Sequence, residues 1–317
     1  MKKILSISLF IIVLSTSLVS YFGYQQIYAP LSDSDQIILI PRETSFEVLK
    51  DSLQVHDLMK NTNFFDFFCT QKRFSKIHPG RYLVRAEMDL NSMVNMFRLG
   101  AQKPLNIIFN NASTLEDLAG KLAVQIEADS IDLLAAFNSE LFFSTYNLNE
   151  ASARKLFIPN TYEVYWTITP VEFLERMQKE YSKFWTPERL LKAKNKGLNA
   201  HEVSVLASIV QKETAQADEQ PVVAGLYLNR LKKGMKLQSD PTVIYALHER
   251  DGFDRVIKRV LKKDLKIASK YNTYYTKGLP PNPICIPEMS ALLSVLNDVG
   301  VNLVWLINHL INEEGSE

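Results

Sequence analysis

Cysteine is scarce in this 317-residue chain: Cys69 and Cys285 are far apart and no CxxC occurs. A disulfide scaffold and a cysteine zinc site are therefore not indicated. The five histidines, His56, His78, His201, His248 and His309, are scattered without an HExxH pattern. No metal is implied, and Glu202, beside His201, already suits a helix-capping position. GxSxG elbows, Walker loops and dinucleotide fingerprints are also missing, so no cofactor is implied. Neither sign of charge is in excess, with 36 basic against 35 acidic residues and a formal charge of +1. Nucleic acid, which is normally met by a basic face, is not an expected partner. Only 11 Gly and 13 Pro against 46% hydrophobic residues exclude collagen-like and low-complexity chains. What remains is a globular chain long enough for roughly two domains.

One long uncharged run is present. After Lys2 and Lys3 no charge appears until Asp33, and Ile4 to Tyr24 is dominated by Ile, Leu, Val and Phe. As a helix, residues 4–24 span about 30 Å, the thickness of a bilayer's hydrocarbon core. The two lysines before the run place the N-terminus in the cytoplasm, and Tyr21, Phe22 and Tyr24 suit the far interface. Residues 1–30 are thus expected to be a cytoplasmic tip and a single transmembrane anchor in the plasma (inner) membrane, with the rest of the chain outside the cytoplasm. A cleaved signal peptide is the alternative, although the run is long for one and no clear A-x-A site ends it.

Beyond a short polar linker, Gln36 to Ile40 reads as a strand and Ser45 to Leu53 as an amphipathic helix. The phrase recurs later: Ile38, Leu39, Glu47, Leu49 and Leu53 match Ile107, Ile108, Glu116, Leu118 and Leu122 in spacing, with Thr44-Ser45 matched by Ser113-Thr114. Common strand-to-helix grammar explains the likeness equally well. Between the copies lie an aromatic segment, Phe64 to Phe68, a turn into a strand from His78, and a helix from Asn91 to Phe97. From about residue 130 the chain is expected to be mainly helical. Thr169-Pro170-Val171-Glu172 supplies an N-cap, a first-turn proline and a capping-box glutamate for a helix to about Phe184. Thr186-Pro187 opens another, Gly197 closes it, and Asn199 with Glu202 begins the next.

That next helix, Asn199 to Thr214, carries Val203, Leu206, Ala207 and Val210 at the spacing of one buried side. At about 100° per residue, Glu213 projects between Ile209 and Leu206. A carboxylate there is expected to be partly desolvated and close to the negative end of the helix dipole. Both effects raise its pKa, the profile of a general acid. The plain alternative is a solvated last-turn glutamate. Downstream, Asp218 can cap a helix beginning near Pro221, and Asp240-Pro241 marks a further helix start with Gln238, Ser239 and Asp240 grouped before it. Tyr271-Asn-Thr-Tyr-Tyr275 then leads into Gly278-Leu-Pro-Pro-Asn-Pro-Ile284. Tyrosines offer ring faces and hydroxyls that suit sugars, or they simply pack.

Four phrases in order, Leu206-Ala-Ser-Ile-Val-Gln-Lys-Glu-Thr214, Val223-Ala-Gly-Leu-Tyr-Leu-Asn-Arg-Leu231, Leu237-Gln-Ser-Asp-Pro-Thr-Val-Ile-Tyr245 and Tyr271-Asn-Thr-Tyr274 with Gly278-Leu-Pro-Pro281, resemble the YceG-like endolytic murein transglycosylases. Phe157-Ile-Pro-Asn-Thr-Tyr162 resembles that family's phrase before its catalytic region, and residues 36–125 its LysM-like module. The resemblance covers roughly residues 1–297. It implies an α+β protein: one N-terminal transmembrane helix (1–30), a small LysM-like membrane-proximal module (31–125) and a mainly helical catalytic domain with a lytic-transglycosylase-like cleft (126–317).

The implied activity is that of a membrane-anchored lytic transglycosylase. It cleaves the MurNAc–GlcNAc bond of peptidoglycan to leave 1,6-anhydroMurNAc ends and terminates nascent strands, with peptidoglycan synthases as candidate partners. Glu213 matches the family's catalytic glutamate. Many relatives carry a second glutamate two residues earlier, where this chain has Gln211. Such a reaction needs one carboxylate, because the nucleophile, the C6 hydroxyl, belongs to the substrate. Gln238, Asp240, Asn229, Tyr271, Asn272 and Tyr274 are the candidates for orienting the glycan, Asp240 being the one best suited to a capping role. Val299 to Glu317 shows no such resemblance, so a truncated or divergent end is expected there. With it stands the alternative function, a non-catalytic, membrane-tethered peptidoglycan-binding scaffold.

Overall fold

The computed structural model describes residues 2–110 and 112–297. Val299 to Glu317, whose divergence was expected from the sequence, lies outside the described residues. The fold is a helix-rich α+β arrangement with two small sheets. It divides into two compact units, residues 1–106 with 163–168, and residues 107–162 with 169–317.

The first unit begins with α1 (Lys2–Tyr28). Within it Ile7–Tyr28, 22 residues of mean hydropathy 1.8 and none of them buried, is long and apolar enough to cross a bilayer. It extends four residues beyond the Tyr24 end expected from the sequence. Then follow β1 (Gln36–Ile40), α2 (Phe46–Val55), α3 (Thr62–Gln71), β2 (Gly80–Val84) and α4 (Leu90–Leu99). The strands pair antiparallel with Ile38 opposite Tyr82. Alternation along β1 sends Ile38 and Ile40 into a core that also holds Leu49, Leu53, Phe65 and Phe97. The aromatic segment at 64–68 forms α3, capped by Asn61, and buries Phe65 and Phe68.

The second copy of the strand-to-helix phrase forms β3 (Leu105–Phe109) and α5 (Leu115–Ala123). Ser45 caps α2 by accepting from the Val48 N–H, and Thr114 caps α5 by accepting from the Asp117 N–H. The two strands also share one pattern of burial. The likeness therefore extends from spacing to caps and burial.

After it come α6 (Ser130–Phe137), α7 (Glu140–Tyr146), α8 (Glu150–Ala153), β4 (Asn160–Val164), which pairs with β3, and α9 (Pro170–Phe184). The Thr169–Glu172 capping box and Pro170 open α9 as expected. The rest is α10 (Pro187–Asn195), α11 (Ala200–Glu213), α12 (Gln220–Lys232), α13 (Asp240–Asp251) and α14 (Met289–Leu296). One cap differs: the residue before α12 is Glu219, which makes no side-chain cap, and Asp218 is exposed.

At the centre of this unit lies α11, with Val203 through Gln211 buried without a break. The sequence pattern suggested one buried side. The other side is polar in name only. Ser208 Oγ donates to the Val205 carbonyl (2.7 Å) and accepts from the Ile284 N–H (3.0 Å). Gln211 Oε1 accepts from the Glu288 N–H (2.6 Å). Small or hydrogen-bonded side chains let the 284–288 segment lie against the helix with its backbone groups satisfied. Gln211 thus has a packing role.

Cys69 and Cys285 are both buried and unpaired, and burial pushes each thiol up to about 12. The folded protein should therefore leave both thiols unmodified by a chromogenic disulfide reagent near pH ~8, and release both on denaturation. Rapid stoichiometric labelling of the native chain would contradict this packing.

Candidate functional site

The end of α11 is where Glu213 sits. Thr214, its C-cap, turns into extended backbone, so the apolar stripe stops one turn earlier, at Ile209 and Val210. Glu213 itself is exposed. This corrects the half-buried position expected from periodicity: the helix stops before its neighbours can cover the last side chain. The carboxylate is nevertheless held. Ser239 Oγ donates to Glu213 Oε2 at 2.9 Å, and Ser239 is fully buried. The Tyr227 phenol, buried on α12, lies close enough to Ser239 and Glu213 for both to act on its titration. Burial, countered by Ser239 and reinforced by the negative Glu213, pushes Tyr227 upward, so the phenol stays neutral.

Ser239 is positioned by a buried set of hydroxyl and amide contacts. Its N–H donates to Thr273 Oγ1 (3.0 Å), and its carbonyl accepts from Thr242 Oγ1 (2.7 Å). Thr242 and Thr273 hydroxyls lie 2.8 Å apart, and the Thr273 N–H donates to Thr242 Oγ1 (3.2 Å). Because the Thr242 proton is committed to Ser239, the Thr273 hydroxyl must donate to Thr242. Every hydroxyl in the network is then satisfied, as burial demands.

The same two segments are tied at their edges. Gln238 takes a left-handed backbone, φ 56°. Its N–H donates to the Thr273 carbonyl (3.2 Å) and its Oε1 accepts from Arg230 (3.3 Å). Arg230 also donates to the Leu237 carbonyl (2.5 Å), and Lys236 Nζ to the Tyr274 carbonyl (2.8 Å). Tyr274 donates its hydroxyl to Asp240 Oδ1 (2.7 Å). Asp240 is the first residue of α13 and makes no cap, since Ser239 holds the N-cap position without a side-chain bond. Its expected capping role is therefore replaced by a bond to Tyr274.

Of the residues singled out from the sequence, Glu213, Gln238, Asp240 and Tyr274 stand around Ser239. Asn272 is fully buried, its amide donating to the Leu265 (3.1 Å) and Ile267 (2.9 Å) carbonyls and its oxygen accepting from the Tyr274 N–H (2.9 Å). It builds the turn and has no group left for a ligand. Tyr271 packs its ring 4.5 Å from that of Tyr245 in the core. Asn229 is exposed on α12, about 200° around the helix from Tyr227. Ser239, Tyr227, Thr242 and Thr273 were not singled out as site residues. Tyr227 and Thr242 stand within the quoted phrases as ordinary helical residues, and only the fold reveals their direction. Among the described residues, no three His, Cys, Asp or Glu side chains are grouped to hold a metal ion.

Tyr271 and Tyr274 are both pushed up to about 12, chiefly by burial and for Tyr274 also by the Asp240 and Glu213 carboxylates. Between pH ~10, where an unfolded tyrosine ionises, and the folded value, the native state holds protons that the unfolded chain releases. Their contribution to stability is whole below that window and is lost as pH rises through it. Absorbance titration of Tyr271→Phe and Tyr274→Phe variants should remove only late-titrating phenols, and loss of a phenol titrating near ~10 would contradict the assignment.

Comparison with known proteins agrees with the motifs. The chain matches the YceG-like family over residues 38–309. The match starts after α1 and runs past residue 297, where the motif resemblance was expected to stop. Endolytic murein transglycosylase of Bacillus subtilis is 27% identical over 82% of this chain and 75% of its own length. The enzyme of the same name from Streptococcus pneumoniae is 24% identical over 96% of this chain, which spans 60% of that relative. The fold resembles that of a crystallised YceG-like protein from Listeria monocytogenes, with a TM-score of 0.53 and 23% identity over 84% of this chain and 90% of that one. With matched residues covering most of its length and the four motifs in order, the chain belongs to the YceG-like family.

Proposed function

We propose that the chain is an endolytic peptidoglycan lytic transglycosylase, anchored through α1 with its N-terminus in the cytoplasm and residues 31–317 outside. In this reading residues 31–125 are a LysM-like membrane-proximal module and 126–317 the catalytic domain. Family membership and the shared name of the curated relatives support the activity. The observation that carries the site is the Glu213 carboxylate, fixed through Oε2 by buried Ser239 and open to solvent on its other side.

Protonated Glu213 donates to the oxygen joining MurNAc to GlcNAc as that bond breaks through an oxocarbenium-like state. The carboxylate so formed takes the proton from the MurNAc C6 hydroxyl while that oxygen closes on C1. The proton count balances, no water is consumed, and the product carries a 1,6-anhydro end. The attached nucleophile provides a high effective concentration and replaces a second carboxylate. Since Glu213 is exposed in the free protein, the glycan itself supplies the cover: laid over the carboxylate it excludes water and favours the protonated form. Ser239 sets the direction of the acid, with the Tyr227 phenol near it. Gln238, Asp240 and Tyr274 orient the glycan, with Asn229 as a more distant contact. Tyr271 and Asn272 act by holding the turn that bears Tyr274. Terminating nascent strands beside peptidoglycan synthases is the corresponding biological role.

Full-length protein in detergent should release 1,6-anhydroMurNAc-ended fragments from peptidoglycan. Glu213→Gln should lower that release at least about a hundredfold, the usual scale for a lost acid–base group, while circular dichroism stays unchanged. Equal release by the variant would refute the acid. Glycan binding by the unmutated chain without anhydro ends would leave a non-catalytic, peptidoglycan-binding scaffold instead.

A further inference from the structure

A cavity of about 820 Å³ opens beside the Glu213 cluster, lined in part by Lys212 and Pro241, the sequence neighbours of Glu213 and Asp240. Its volume lies in the range of small-molecule sites, about 300–1,000 Å³. Arg154, just after α8, forms part of its wall. The residue is only 7% exposed. Its Nη1 donates to the Tyr245 hydroxyl (2.6 Å) and the Pro283 carbonyl (3.2 Å), and its plane lies 5.4 Å from the Tyr245 ring centre. Nε is buried with no partner, and no carboxylate among the described residues pairs with the side chain. A buried cation without a counter-charge is unfavourable, and an anion arriving from outside would relieve that cost.

The remaining wall is mixed. Lys212 adds a second cation, with Nζ 3.4 Å from Ser113 Oγ. Asp117, also on the wall, is already engaged by the Ser113 N–H (2.9 Å) and Lys121 (3.1 Å). Glu116 and Asp254 are exposed lining residues, and Phe253 stacks flat on His248 at 5.4 Å. The wall thus carries two cations, one of them buried, two exposed acids and an aromatic surface. That is the complement of a short peptide carrying both carboxylates and an amine, whereas a neutral sugar would leave the buried charge unanswered.

We infer that this cavity receives the stem peptide borne by the sugar at Glu213, with Arg154 and Lys212 meeting a peptide carboxylate and the acids facing its amine. The inference rests on the proposed peptidoglycan reading and names the part of the substrate that the site selects. Arginine suits the task, since its fork can meet a carboxylate through two parallel hydrogen bonds.

The test is a binding measurement on full-length Glu213→Gln protein in detergent, so that turnover does not intervene. Three probes are compared: peptide-bearing glycan strands, the same strands stripped of peptide by an amidase with the lactyl carboxylates this frees then converted to amides, and peptide-bearing strands whose carboxylates have been converted to amides. Peptide-bearing strands should bind about tenfold more tightly than stripped ones, the amidated strands binding like the stripped. Adding Arg154→Gln should bring that ratio close to one. Because this change also removes bonds to Tyr245 and Pro283, Lys212→Gln on an exposed side chain serves as the second variant, expected to lower the ratio about threefold. Equal affinity for peptide-bearing and stripped strands, or a ratio unmoved by both variants, overturns the inference. If the unmutated chain yields no anhydro ends while the ratio stands, the chemistry falls and the peptide subsite remains.

Discussion

The site depends on a closed set of buried hydroxyls that leaves one donor pointing outward. Thr273 gives its proton to Thr242, Thr242 gives its own to the Ser239 carbonyl, and the Ser239 N–H goes to Thr273. With its backbone groups so committed, Ser239 offers its hydroxyl to Glu213. A carboxylate on an exposed helix end would otherwise sample several rotamers. Here one of its oxygens is fixed from inside the protein, and the mobile, solvated part of the acid is reduced to the side a substrate would approach.

This explains why the polar network is worth its burial. Satisfied hydroxyls in a low-dielectric interior are rigid, and rigidity at Ser239 is transmitted to the acid through a single bond. Two sequence-distant segments, 237–242 and 271–276, are joined by it, and Asn272 closes the second by bonding back to Leu265 and Ile267. Helix α11, buried from Val203 to Gln211, then acts as the axis on which Glu213 is mounted, with the 284–288 segment fastened to it through Ser208 and Gln211.

Much of this was legible in the sequence because caps are local. Ser45, Thr114, Thr169 and Asn199 each sit where a hydroxyl or amide precedes a helical run, and each caps the helix that the pattern indicates. The position of Glu213 at the end of α11 was also legible. Its exposure was not: periodicity gives an angle around a helix but not where neighbouring elements stop. Asp240 and Asp218 show the same limit, since a competent capping residue takes the role only when nothing else claims it. Tyr274 claims Asp240, and α12 starts without Asp218. Ser239 could be placed on the loop before α13 beside Gln238 and Asp240, but Tyr227 and Thr273 carry no signal of their own in one sequence, because their partners lie on other elements.

The most direct test of this account is a double-mutant cycle on anhydro-product release, joining Ser239→Ala and Thr273→Val. Both changes act on the same hydrogen bond to Glu213, so each should slow release about tenfold or more, and the double variant should be no slower than the worse single one. Strictly multiplicative losses, or full activity in Ser239→Ala, would mean that the acid is not held in the way described.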